Sequence, residues 1–222
     1  MNKAALLYRI EERLREAYGQ PRHGNRSNTL DELIFIVLSR QTDESTFTRE
    51  FAELRRSYWP WKKLLNADAG MLEQLLRPCG FGATRATQLK KIVARLRHDF
   101  GRVTLAPLRR MEPGVAEAYL TSLPGVGKKT ARCVLMYSLA ESVFPVDVHC
   151  FRVLRRIGVF DLEPPVRKHE DAIQSMIPEE IRHSLHVTLL SLGRDVCHAR
   201  KPGCAGCAVE SLCEKRGLPV SV

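Results

Sequence analysis

The nine residues Leu123–Ala131, Leu-Pro-Gly-Val-Gly-Lys-Lys-Thr-Ala, constrain this chain more than any other stretch. Pro124 and Gly125 end whatever helix precedes them, and Gly127 breaks the chain again two residues later. Both glycines can take a positive φ that a Cβ would strain. Beyond Gly127, apolar or small residues recur at Ala131, Val134, Leu135, Ser138 and Leu139, the stripe of a helix. The stretch therefore reads as helix, tight hairpin, helix, with Lys128 and Lys129 in the first turn of the second. Backbone amides of Gly125, Val126 and Gly127, together with the positive end of the helix dipole, suit a phosphate group and read no base. A lysine in a first turn is disfavoured as structure. The same field disfavours the ammonium form and helps to supply the free amine a nucleophile needs. The bland alternative is a loop with a solvated lysine pair.

With 222 residues the chain has room for one large domain or two small ones. No run approaches the roughly 18 apolar residues of a membrane span. Met1–Tyr18 sets Leu6, Leu7, Ile10 and Leu14 against Glu11, Glu12, Arg13 and Arg15, which is an amphipathic helix and not a signal peptide. A cytoplasmic location is expected, with no membrane partner. Lysine and arginine number 35 against 25 acids, a net charge of +10, and so basic a chain points to a polyanionic partner, most commonly nucleic acid.

Helical periodicity dominates elsewhere and no period-two strand stands out, so the chain reads as all-α. Asn28, Thr29, Asp31 and Glu32 make a capping-type start for a helix through Leu38. Asp43 caps the next. Trp59-Pro60-Trp61 makes a corner and reads as core aromatics, not as a shelf for a ligand. Cys79-Gly80-Phe81-Gly82 is a tight turn before a long helix from about Thr84 to Phe100.

Four of the seven cysteines are bunched as C-x6-C-x2-C-x5-C at Cys197, Cys204, Cys207 and Cys213. In a chain of cytosolic character a close quartet of thiolates means metal, either zinc or an iron–sulfur cluster. Arg200 and Lys201 lie in the loop between the first two, where pinned ends would let them grip phosphates. Cys79, Cys133 and Cys150 sit at apolar positions and read as buried thiols. Asp147, 18 residues after Lys129, stands where a helix N-cap belongs, and a capping carboxylate is held in place by backbone donors. His149 reads as a packing or backbone-bonding residue.

The hairpin, the Val146–His149 segment and the cysteine quartet resemble, in order and spacing, the endonuclease III branch of the helix-hairpin-helix DNA glycosylases, from Leu30 to Cys213. That resemblance implies a two-lobed fold: a six-helix barrel over about 22–132 ending in the hairpin, and a second, discontinuous lobe of 1–21 with 133–222 holding a [4Fe–4S] cluster. It implies Lys129 as the nucleophile, with Lys128 its neighbour, and Asp147 as the catalytic aspartate. Cys197, Cys204, Cys207 and Cys213 become the cluster ligands. Arg40 and Gln41 fall on the family segment whose glutamine fills the gap left by a flipped base, with Arg40 replacing one such glutamine. Phe81 falls at the wedge position, while Gly82 and Ala83 replace larger side chains. The implied activity is a base-excision-repair DNA glycosylase with AP lyase activity, acting as a monomer on damaged or abasic duplex DNA, with oxidised pyrimidines as the expected lesion. Its rivals are a mismatch- or alkylated-base glycosylase with weak lyase activity, and a non-enzymatic DNA-binding module with a structural metal. The adenine-mismatch branch is disfavoured, since Ile36 stands near its glutamate position and the hairpin lysine is present.

Overall fold

The computed structural model describes residues 2–22 and 25–218, and all the regular elements among them are helices. The α-helices are α1 (Lys3–Tyr18), α2 (Thr29–Ser39), α3 (Glu44–Tyr58), α4 (Ala69–Leu76), α5 (Gly82–Phe100), α6 (Pro113–Ser122), α7 (Lys128–Leu139), α8 (Val148–Ile157), α9 (Glu170–Met176) and α10 (Arg182–Asp195), joined by short 3-10 turns. The chain forms two compact units, residues 25–141 and residues 1–24 with 142–222. A division at residue 132 would cut α7, whose buried face continues through Val134, Leu135 and Ser138 in the same unit as the hairpin.

The continuous unit is built around α2. Every residue of this helix from Thr29 to Leu38 is buried, as expected of a helix surrounded by others rather than lying on a surface. It packs on α3, α5 and α7. Asn28 starts it: its side-chain oxygen accepts the amides of Leu30 and Asp31, a cap that contributes about 1 kcal/mol. The first-turn acids do not face water as helix-dipole partners. Asp31 takes the Trp61 indole N–H at 2.6 Å and the Arg55 guanidinium at 3.2 Å, and Glu32 is fully buried. The tryptophan corner also departs from expectation. Trp61 is core at 3% exposure, but Trp59 is 42% exposed, with the Arg55 guanidinium over its ring at 4.4 Å.

In the discontinuous unit α1 packs on α10, and α10 on α8. The apolar stripe of α1 closes over the core through Leu7, Ile10 and Leu14, which join Phe144, Leu154 and Leu189. Asp147 caps α8, accepting the Cys150 amide at 2.8 Å. Cys79, Cys133 and Cys150 are buried. Among the described residues no helix is long and apolar enough to cross a membrane.

Candidate active site and cysteine centre

The hairpin joins α6 to α7 as the spacing requires, but its two glycines differ. Gly125 has φ 68, and a Cβ there would lie 2.7 Å from the Gln88 amide nitrogen. Gln88 of α5 holds the turn by donating to the Pro124 carbonyl at 3.0 Å. Gly127 is extended at φ −94, a conformation open to any residue. Val126 turns inward: its side chain is buried and its amide donates to the Leu123 carbonyl at 3.1 Å. Its N–H is therefore not a phosphate donor. The amides of Gly125 and Gly127 make no backbone hydrogen bond among the described residues, which leaves both donors open.

Two further loops are fastened beside it by residues the sequence did not flag. Arg85, in the first turn of α5, is buried. Its guanidinium donates to the Leu38 carbonyl at 2.5 Å, to the Arg40 carbonyl, and to the Thr42 hydroxyl at 3.1 Å. Thr42 in turn donates to the Cys79 carbonyl at 2.7 Å. Arg40 reaches the Gly125 carbonyl at 3.1 Å. Burial lowers the guanidinium pKa of Arg85, and the α5 dipole also opposes a cation there. Three acceptors compensate for that doubly unfavourable placement. What the network holds up is a pair of left-handed residues, Gln41 at φ 55 and Phe81 at φ 53, both exposed. Phe81 is 65% exposed. Gly82 is a packing requirement, since a Cβ there would meet the Glu73 carbonyl at 2.8 Å. On periodicity alone Arg85 passes for one more surface cation of a basic helix.

Lys128 is exposed and Lys129 half-buried in the first turn of α7. Across the α2–α7 packing lies Glu32, whose carboxylate accepts the Asn25 side-chain amide at 2.5 Å and the Arg26 backbone amide at 2.6 Å. Burial pushes its pKa up to about 7, against those two donors and the positive charges of Arg26 and Lys129. A titratable acid thus sits within electrostatic reach of the hairpin lysine. In the other unit Asp147 is half-buried, its carboxylate fixed by the α8 cap. His149 packs against Gly193 and lies 3.1 Å from the Arg152 guanidinium.

The four clustered cysteines line one cavity, walled by Val153, Ile157 and Leu192. Burial raises the thiol pKa of Cys207 and Cys213, and the neighbouring thiolates raise it further. Such a quartet resists ionisation unless a cationic centre sits among the sulfurs. Among the described residues no three His, Cys, Asp or Glu side chains converge closely enough to hold a single ion. Four thiols lining one cavity are a donor set suited to a thiolate-bound metal centre. Two arginines of α8, absent from the sequence reading, hold this segment. Arg152 donates to the Cys197 carbonyl at 2.9 Å, and Arg156 to the carbonyls of His198 at 2.6 Å and Ala199 at 3.0 Å. Arg200 and Lys201 project from the loop so held and are exposed.

Residues 34–179 match the model of the HhH-GPD superfamily base excision DNA repair proteins. The chain is 32% identical over 174 residues to a putative DNA glycosylase of Arabidopsis thaliana, matching 78% of this chain but spanning only 59% of that relative. With endonuclease III of Escherichia coli it shares 32% identity over 222 residues, covering 96% of this chain and 97% of the other. A trapped covalent endonuclease III–DNA intermediate superposes with a TM-score of 0.83 at 25% identity, covering 97% of each chain.

Proposed function

The chain belongs to the HhH-GPD superfamily of base excision DNA repair proteins, and we propose that it acts there as an endonuclease III-like DNA glycosylase with AP lyase activity. Oxidised pyrimidines in duplex DNA are its proposed substrates. One observation carries the reading: a lysine, Lys129, in the first turn that follows a Gly-Val-Gly hairpin, within a chain alike over nearly its whole length to a protein trapped covalently on DNA.

A duplex hides the bond between base and sugar, so the damaged nucleotide must leave the stack. Phe81 and Gln41, held outward on tethered loops, would occupy the vacated space. The amides of Gly125 and Gly127, with Lys128, Arg200 and Lys201, would hold phosphates. The Lys129 amine attacks C1′, the C1′–N bond breaks, and the base departs with its electron pair and gains a proton. Ring opening gives a Schiff base between Lys129 and the sugar. That iminium acidifies the 2′ proton, whose removal expels the 3′ phosphate by β-elimination. Asp147 supplies the carboxylate that stabilises positive charge on the sugar and assists the proton transfers.

Cys197, Cys204, Cys207 and Cys213 would hold a [4Fe–4S] cluster. When bound, it would supply a rigid anchor for the loop that bears Arg200 and Lys201. Arg152 and Arg156 hold the same loop from α8.

Borohydride reduction on a duplex carrying an abasic site tests the reading. Wild type should be trapped covalently and Lys129→Gln should not, while Lys128→Gln should still be trapped and bind DNA more weakly. Undiminished trapping by Lys129→Gln would move the nucleophile to another amine.

A further inference from the structure

The exposed tryptophan leads to a second site. Trp59 and Trp61 line an open cavity of about 700 Å³ together with Lys62, Lys63, Arg97 and Arg102. That volume lies within the ordinary range for small-ligand sites, roughly 300–1,000 Å³. No carboxylate lines it. Several other cations of the same unit are paired with acids: Arg49 with Glu50, Arg55 with Asp31, Arg56 with Glu53, Arg95 with Asp99 and Arg132 with Glu117. Among the described residues, the four cations of this cavity have no ion-pair partner, and all four are exposed. Like charges gathered without counter-charge repel one another, and an anion among them removes that repulsion.

The cavity is also remote from the loops assigned to the lesion. Phe81 and Arg85 stand at the start of α5, while Arg97 lies in its last turn and Arg102 just beyond it. The 19 residues of α5 span about 28 Å at 1.5 Å per residue. Likewise α3 starts beside Gln41 and ends at Trp59. The two groups of residues therefore occupy opposite ends of the same unit.

We propose that this cavity is a nucleotide-binding site separate from the lesion site. Lys62, Lys63, Arg97 and Arg102 take the phosphate, and the partly exposed Trp59 ring takes the base. An aromatic platform flanked by unpaired cations is the chemistry that recognises a nucleotide with an accessible base, whether free or within an unpaired strand.

The chain holds only two tryptophans, and both line this cavity, so intrinsic fluorescence reports on it directly. Thymidine monophosphate, a short oligothymidylate and an undamaged duplex would each be titrated into the full chain at low salt. Saturable quenching by the mononucleotide marks a free-nucleotide site. Quenching by the oligonucleotide alone marks a site for unpaired strand. The variant with Lys62, Lys63, Arg97 and Arg102 all changed to Gln should bind about tenfold or more weakly, since the lost contacts are electrostatic. Its excision rate on a lesion-bearing duplex should be unchanged, which also verifies that it folds. The proposal is overturned if neither single-stranded probe quenches, if only the duplex does, if the quadruple variant quenches as wild type, or if its quenching and excision fall together.

Discussion

The Thr42 hydroxyl donates to the Cys79 carbonyl at 2.7 Å, joining two loops 37 positions apart in sequence. The same hydroxyl accepts from Arg85 at 3.1 Å. One oxygen therefore sets the separation between the loop that carries Gln41 and the turn that carries Phe81. Thr42→Val keeps the shape and deletes both bonds. It should lower stability by about 1–3 kcal/mol, the cost of leaving a part-buried carbonyl and a guanidinium N–H unpaired. It should also slow single-turnover base release on a damaged duplex. In a double-mutant cycle, Thr42→Val in a Phe81→Ala background should add little further loss. Additive losses would show that the bond does not act through Phe81.

Phe81 itself should behave as a surface residue thermodynamically and as a functional one kinetically. At 65% exposure, Phe81→Ala should change stability by no more than about 0.5 kcal/mol, as read by denaturant unfolding. Base release should fall severalfold. A stability loss of the size seen for buried aromatics, about 3–5 kcal/mol, would assign Phe81 to the core.

Glu32 should make stability depend on pH. Its pKa rises from 4.5 to about 7 on folding, so the folded chain binds a proton that the unfolded chain has released. Stability from this group is fully present below pH 4.5 and is lost as pH rises to about 7. The shift corresponds to roughly 3 kcal/mol at 1.36 kcal/mol per unit. Glu32→Gln should flatten the stability profile across that window. Because Lys129 is among the charges that lower the Glu32 pKa, Lys129→Gln should move the window upward. A profile equally steep in Glu32→Gln would assign the titration elsewhere.

The purified protein should be brown, with broad absorption near about 400 nm from a cluster on four thiolates. Cys204→Ser should lose the band, and DNA binding should weaken as the Arg200–Lys201 loop loses its anchor. Stoichiometric zinc without iron after anaerobic preparation would replace the cluster reading with a single-ion site.

What the sequence made legible was whatever depends on local spacing. The hairpin, the Asp147 cap and the cysteine quartet each fit within a short window; the hairpin and the cap form as their spacing requires, and the four cysteines line one cavity. What stayed hidden depends on which helices become neighbours. Arg85 differs from any other helical arginine only because the end of α2 lies beside it, and Glu32 looks like a first-turn dipole partner until α2 is enclosed on all sides. Trp59 and Trp61 share a corner yet separate, one into the core and one into solvent, because only Trp61 reaches the Asp31 carboxylate. Val126 turns inward because its amide closes the turn onto the Leu123 carbonyl. No periodicity encodes that choice.

The left-handed backbone at Gln41 and Phe81 has a consequence for how this protein would evolve. Each side chain holds a conformation that costs an L-residue roughly 1–2 kcal/mol and glycine almost nothing. Mutation to glycine at either position would therefore be welcomed by folding and resisted only by activity. Lineages released from selection for repair should drift towards glycine at both positions while their melting temperatures rise. Decay of function in this chain would then arrive disguised as improvement, and a screen for thermostable variants run without an activity assay would select inactive protein.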